Sequence, residues 1–418
     1  MLLENTFRAF RHRDYFIFWW GLFLGHTGTL IQATAQGWLI LQLTDSPFYL
    51  GLDGLCIGLP RVIFSPLGGA LVDRMNKRFL FVVTQAAFLV MALFLGLMNF
   101  SGLINVWHVL AVSALTGFFL SFEQPIRQTI LHEIVPPADL LNAISLYQLV
   151  FNGSVLFGPA VGGALIPVIG TTGCFFLHAI GNFIVLVTLF MIRIPETAAT
   201  GKKKSLTRDV VEGFTIAWHN PIFFSLFAIL AVASFCTKPY NQFMPVFARD
   251  ILQVGAPGLG LLLMAPGAGA IFGALTLASL TRFPKAHHLL LLLAGGFGFF
   301  VTLFAASRSF PLSLFFLFLA GAFQTTLLSA ITTLLQIHSS EKTRGRVMSL
   351  YGLVNRGLGP MGAFPIGAIA TWLGAPLTIS LGGLLAIAMT AYLTLSRPHL
   401  REATLIGLSA SRKKERGA

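Results

Sequence analysis

Five charged side chains stand inside long apolar runs of this chain: Asp53, Arg61, Glu123, Lys238 and Arg356. A charge at the centre of a membrane helix costs about 3 kcal/mol on insertion scales, so each must face water or a partner and is a candidate for function. Glu123 lies in Ser121-Phe-Glu123-Gln124-Pro125 and has two readings. It is either a proton-binding carboxylate with its affinity set by burial, or an intrahelical pair with Arg127 at i+4, in the favoured acid-before-base order. Asp53 and Lys238 sit at matching depths in two different runs, which permits either a bridging pair or two separate polar positions. Arg61 follows Pro60, and Arg356 follows Asn355. Together they can counter an anionic or catecholate-like substrate, or one or both can pair with backbone carbonyls at a helix break. His26, Gln32, Gln36 and Trp38 add polar groups in one apolar run, Asn241 and Gln242 in another, and Gln324 in a third. A lone His in such a run is either hydrogen-bonded packing or a proton relay.

These residues need membrane helices to hold them. The 418 residues are 55% hydrophobic and 10% charged, against about 25% charged in a soluble domain. The mean hydropathy is +0.79, and apolar segments recur from Tyr15 to Leu395 without a soluble-size insertion. The composition therefore predicts a polytopic membrane protein and excludes a soluble enzyme. The net charge of +13 comes from bases in short polar turns, the pattern of a positive inner face rather than of nucleic-acid binding. Cys56, Cys174 and Cys236 share no metal-ligand spacing and read as small apolar packing residues, with no metal site and no disulfide expected. Met1–Asp14 is polar and basic, but the run after it is too long for a signal peptide's apolar region of roughly 7–15 residues. The first helix is therefore expected to stay.

Twelve spans are predicted: Tyr15–Leu43, Phe48–Val72, Phe79–Phe100, Asn105–Leu131, Leu140–Ile166, Thr172–Ile192, Ile222–Val246, Gly258–Leu280, Leu289–Ser307, Phe310–Leu335, Val347–Trp372 and Ala375–Leu395. With both termini inside, the outer turns contain only Arg249 and Arg308 among 28 Lys+Arg, which supports the count and the orientation together. Residues 195–220 form the one sizeable polar stretch. It opens as a linker with Lys202–Lys204. Leu206, Val210, Phe214 and Trp218 then recur every four residues, predicting a helix on the inner surface with its apolar face in lipid or against the bundle. The halves on either side echo each other. Ala143-Ile-Ser-Leu-Tyr147 returns as Val347-Met-Ser-Leu-Tyr351, and Gly158-Pro159-Ala-Val-Gly162-Gly163 returns loosely from Gly359-Pro360. Two six-helix halves around a midplane site is the plan of alternating-access transporters.

The turn after the second span carries Gly69, Asp73, Arg74, Lys77 and Arg78. In this pattern the chain resembles the major facilitator superfamily, with Asn76 where the family usually has Gly, a departure that still allows a left-handed turn residue. Gly158, Pro159, Gly162 and Gly163 in span 5 look like the signature of the family's exporter branch, read as close helix packing, as a kink that sets direction, or as both. Pro125-Ile-Arg127, Ile134-Val135-Pro136, Leu141-Asn142-Ala143 and Gly345-Arg346-Val347-Met348-Ser349 are similar to the enterobactin-exporter-like and macrolide-efflux-like, drug:proton antiporter branch. Span 4 has no Arg in its first half, and span 1 lacks the Pro-rich drug-antiporter signature. The resemblance implies that spans 1 and 7 line the substrate cavity. It also implies that Asp73 acts as a conformational latch against the start of span 11, where helix N–H groups favour an anion.

The expected fold class is an all-α polytopic membrane protein, twelve transmembrane helices in two pseudo-symmetric six-helix halves: residues 1–194, a linker at 195–220, residues 221–396 and a basic tail at 397–418. The expected function is secondary active transport, by export of a siderophore-like or drug-like molecule driven by the proton gradient, with no other cofactor. No nucleotide-binding Gly-x-x-x-x-Gly-Lys-Ser/Thr occurs. The alternatives are an importer of a nutrient or lysolipid on the same fold, and a non-transporting receptor or structural partner. A monomer in lipid, multi-pass in a bacterial inner membrane, is expected. Asp73→Asn is predicted to reduce transport while leaving the inserted amount unchanged; normal transport by that variant would remove the latch.

Overall fold

The computed structural model describes residues 7–193, 206–279 and 286–396, with backbone alone at 66–74, 206–211, 278–279, 286–287 and 342. Among the described residues all regular structure is helical. After a short turn at Arg8–Arg11 come α1 (Arg13–Thr44), α2 (Pro47–Arg74), α3 (Lys77–Phe100), α4 (Val106–Ile134) and α5 (Leu140–Met191). α6 (Leu206–His219) is followed by α7 (Pro221–Val232) and a broken continuation to Ile251. Then follow α8 (Gly255–Ser279), α9 (Ala286–Ala306), α10 (Phe310–His338), α11 (Glu341–Leu373) and α12 (Ala375–Ser396).

By length and composition, nine described helical runs can cross a membrane. α5 counts once among them, yet Gly170 at φ 69° divides its 52 residues into two arms, as the Pro167–Thr171 turn predicts. The more polar α1 and α11, of 32 and 33 residues, complete the twelve spans.

Local chemistry sets the helix ends. The Asn105 side chain accepts from the Trp107 N–H (3.2 Å) and starts α4. Asn220 does the same for α7, with Pro221 in the first turn, where the missing N–H is harmless. Asn76 does not take the left-handed conformation that an asparagine allows there. Its φ is −61°, and its side chain accepts from the Phe79 N–H to cap α3, so a capping role replaces the glycine-like one.

Span 7 departs from a regular helix. It runs as π-helix over Ala233–Thr237, 3-10 helix over Lys238–Phe243, a helical turn at Met244–Val246 and π-helix again over Phe247–Ile251. Pro239 has no N–H to give the carbonyl four residues back, which is that of Phe235. That carbonyl lies where a Cβ on Gly362 of α11 would be 2.2 Å away, and the Cys236 carbonyl lies 2.4 Å from the same point on Gly382 of α12. The break is seated between two helices that lack side chains at the contact.

The chain packs as two compact units, Met1–Leu206 with Pro245–Met264, and Thr207–Met244 with Ala265–Ala418. In the first, α1 lies along both arms of α5. Tyr15 and Trp19 donate to the Ala143 and Leu146 carbonyls, both at 2.8 Å. Around them Phe18, Leu22, Phe81, Phe122 and Ile126 form a buried core. Gly117 brings α4 so near α2 that a Cβ would be 2.2 Å from the Ile57 carbonyl. In the second unit Gly321 brings α10 equally near α8, 2.0 Å from the Pro266 carbonyl. Gly321 follows Gly117 by 204 positions, the spacing of the Ala143 and Val347 echo. The same helix contact is thus built twice.

A methyl group at Gly117 has no room, whereas nothing lies within 4 Å of one at Gly295. Gly117→Ala is predicted to destabilise by roughly 1–3 kcal/mol through overpacking. Gly295→Ala should be neutral or slightly stabilising, since Ala favours the helix. Heating in detergent followed by size-exclusion chromatography reads both; equal midpoints would refute the close-contact account.

Candidate functional site

In the first unit the candidate residues form two buried polar groups. The first joins three helices. Asp53 of α2 is 3% exposed. It accepts from Gln36 Nε2 of α1 at 2.9 Å and from Ser113 Oγ of α4 at 2.5 Å. Gln36 Nε2 also reaches Ser113 Oγ at 2.9 Å. A carboxylate accepts only, so it fixes which end of the Gln36 amide faces it.

The second group surrounds Glu123 of α4, which is 7% exposed. It accepts from Gln85 Nε2 of α3 at 3.1 Å and forms an ion pair with Arg127 one turn on. The i+4 pairing anticipated from the sequence is present, with Pro125 between the two charges. The Arg127 guanidinium lies 5.6 Å from the Phe151 ring centroid. The His26 ring is 4.4 Å from that centroid, which places His26 beside this group. Arg127 Nε is buried with no hydrogen-bond partner.

Gln32 turns toward the second arm of α5, where its Oε1 meets His178 Nδ1 at 2.5 Å. His178 Nε2 meets Thr29 Oγ1 at 3.2 Å. His178 is 5% exposed and was not a sequence candidate. Its only signal was a His within an apolar run, four turns of sequence short of any other charge. Gln32 and Gln36 are both buried in the helix bundle. The Arg61 carbonyl accepts from Ser121 Oγ at 3.4 Å.

The span 5 glycines make contacts on two sides. A Cβ on Gly158 would be 2.7 Å from Leu30 Cβ, and one on Gly162 would be 3.1 Å from Ile31 Cα, both on α1. Gly163 faces α8 instead, with the Ala256 carbonyl at 2.5 Å and Gly260 Cα at 2.7 Å. Gly260 in turn faces the Pro159 carbonyl at 2.6 Å. Arg249 ends the broken span 7 by donating to the Leu41 carbonyl of α1 (2.9 Å) and to Asp45 (2.7 Å).

Of the turn after α2, Lys77 forms an ion pair with Glu133 of α4, and Arg78 lies over the Phe190 ring at 5.8 Å. The side chains of Gly69, Asp73 and Arg74 lie outside the described residues, and the latch contact with them.

In the second unit Lys238 stands at the helix break. Its Nζ donates to the Asn355 carbonyl (2.9 Å) and to Asn355 Oδ1 (3.3 Å) on α11. The neighbouring Arg356 is exposed. The structure therefore brings Lys238 and the Asn355–Arg356 step together. Asn241, Gln242 and Gln324 are half-buried in the same unit. Among the described residues no group of His, Cys, Asp or Glu is arranged to hold a metal.

Among the described residues, long apolar helices, internal repeats and acids buried between helices define a transporter-type membrane fold. The transmembrane secretion effector family model matches residues 4–414, so the chain belongs to that family, a branch of the major facilitator superfamily. It is 26% identical over 394 residues to the multidrug efflux pump Tap of Mycolicibacterium fortuitum, covering 90% of this chain and 94% of that one. It is 22% identical over 374 residues to the staphyloferrin A transporter of Staphylococcus aureus, covering 88% and 92%. Among solved structures, a mutant of the nucleoside transporter NupG superposes with a TM-score of 0.75 at 12% identity, covering 93% of this chain and 99% of that one. The chain is a multi-pass integral membrane protein and a secondary active efflux transporter of small molecules, not an enzyme. Import and a non-transporting receptor role are not favoured.

Breaking a buried ion pair from one side costs about 3–5 kcal/mol, because the remaining charge is uncompensated. Arg127→Gln alone is therefore predicted to be more destabilising than Arg127→Gln combined with Glu123→Gln. Thermal melts of the purified variants in detergent test this; additive losses would show that the two side chains do not interact.

Proposed function

We propose that this transporter expels an anionic or zwitterionic organic molecule, siderophore-like or drug-like, in exchange for protons. It works as a monomer in the bacterial inner membrane, with both termini in the cytoplasm. The observation that carries the reading is a pair of carboxylates, Asp53 and Glu123, buried in the spans of one unit. Each is tied by a glutamine amide to a different helix, Asp53 to α1 and Glu123 to α3. A proton arriving at either acid changes the charge at a junction of helices, which is what coupling requires. At Glu123 the proton competes with Arg127; at Asp53 it alters a centre shared by α1, α2 and α4.

The substrate class follows from the bases. With Arg127 paired to Glu123, Arg61, Lys238 and Arg356 outnumber the one other acid of the spans, Asp53, and a fixed cation in a low-dielectric site favours a substrate anion. The roles of two relatives, a multidrug efflux pump and a staphyloferrin A transporter, fit such a range. The orientation rests on the bases Arg8, Lys77, Arg78, Arg193 and Lys202–Lys204 falling on one side. The remaining candidates, His26, Gln32, Gln36, Asn241, Gln242 and Gln324, supply hydrogen bonds to the substrate or to the groups that hold it. The Gly158–Gly163 stretch keeps α5 close to α1 and α8.

In everted membrane vesicles with an acid interior, uptake of siderophore-like and drug-like anions should follow the proton gradient. Asp53→Asn and Glu123→Gln should each lower gradient-driven uptake at least about tenfold, equivalent to about 1.4 kcal/mol, while downhill flux persists. Gradient-driven uptake that survives in both variants would remove the coupling assignment. Uptake confined to right-side-out cells would reverse the direction.

A further inference from the structure

α6 presents two different faces. One is docked within its own unit. Gly213 meets the start of α11 so closely that a Cβ would be 2.8 Å from the Arg346 carbonyl. Glu212 Oε2 pairs with Arg346 Nη2 at 2.8 Å, and Ala217, one turn after Gly213, is 6% exposed. The ion pair and the close backbone contact together tie α6 to the second turn of α11.

The adjoining face is aromatic and open. Phe214 and Trp218 are 56% and 63% exposed, and their rings stack at 5.9 Å with 22° between planes. Trp218 also meets Phe224 of α7 edge-on at 5.3 Å. Aromatic side chains of this kind concentrate at the membrane–water interface. The sequence leading into α6 is basic, with Lys202, Lys203 and Lys204, Arg208 follows in the first turn of α6, and Arg344 is exposed at the start of α11. An open aromatic face on a helix that a run of bases precedes in sequence matches a surface that is apolar below and negative above. That is a leaflet containing anionic headgroups, and it matches neither bulk water nor neutral lipid.

We propose that α6 docks on the anionic headgroups of the inner leaflet and, through Gly213 and Glu212, holds the start of α11, so that transport is faster in an anionic membrane. The proposal rests on the transport reading and orientation given above. It makes α6 a lever: lipid holds one face and α11 the other. The contact at Gly213 tolerates no side chain, so a larger residue there uncouples the lever without touching the lipid-facing rings.

The test uses the full-length protein in vesicles of phosphatidylcholine alone or with one-third phosphatidylglycerol. Hydrogen exchange of the α6 amides and gradient-driven transport are measured in each. Wild type should show slower α6 exchange and about threefold or faster transport with the anionic lipid. The double variant Phe214→Ser, Trp218→Ser should lose both responses. Gly213→Leu should keep the lipid-dependent protection and lose the rate response. Equal α6 exchange in the two vesicles, or an unchanged lipid response in the Phe214, Trp218 variant, overturns the proposal. So does protection that appears only when cytosol is added, which points to a protein partner. Lipid-dependent protection without gradient-driven transport in either vesicle would instead sink the transport reading and leave the docking intact.

Discussion

Hydrocarbon solvates neither a peptide group nor a charge, and the rest of this structure follows from that limit. The backbone must bond to itself, which makes every span a helix. Lipid tails are as apolar as leucine, so helices gain little from the hydrophobic effect when they meet. They gain from close approach. Gly117 and Gly321 place α4 and α10 against carbonyls of α2 and α8, at equivalent points of the two repeats. The Gly158–Gly163 stretch does the same on two sides at once, toward α1 and toward α8. A motif that the resemblance associates with export is thus, physically, a strip of helix that can touch two neighbours.

The same limit governs charge. The acids of the first unit are held by amides, a hydroxyl and, for Glu123, an arginine on its own helix. The base at the break of the second unit is held by a backbone carbonyl and an asparagine. The two solutions differ in chemistry. A carboxylate among amide donors can exchange a proton within an intact hydrogen-bond network. An ammonium on a carbonyl is a fixed positive centre beside a helix that is already broken.

Span 7 links the two themes. Pro239 removes one backbone hydrogen bond, and the freed Phe235 carbonyl would be intolerable facing lipid. Gly362 lets α11 pack directly over it. The irregular backbone is therefore kept inside protein, the condition under which membrane proteins tolerate it. Lys238, at the same break, gains its partner from that helix too.

Much of this was legible in the chain. Twelve spans, the Gly170 turn, the α6 helix and the repeat follow from apolar run lengths, turn residues, a four-residue apolar period and a 204-residue echo, because each of these acts along one segment separately. The family followed from the turn motif and the span 5 motif. The Glu123–Arg127 pair was readable because i and i+4 are neighbours on any helix. Partners on other helices were not readable: Ser113 with Asp53, His178 with Gln32, Asn355 with Lys238, Arg346 with Glu212. Nor was the capping role of Asn76, which depends on the local turn, or the π and 3-10 character of span 7, which needs glycines from α11 and α12 to shelter it. Periodicity and composition act along one helix and are written in its own sequence. Which side chains meet across helices depends on rotation and closeness of approach, and only the tertiary structure sets those.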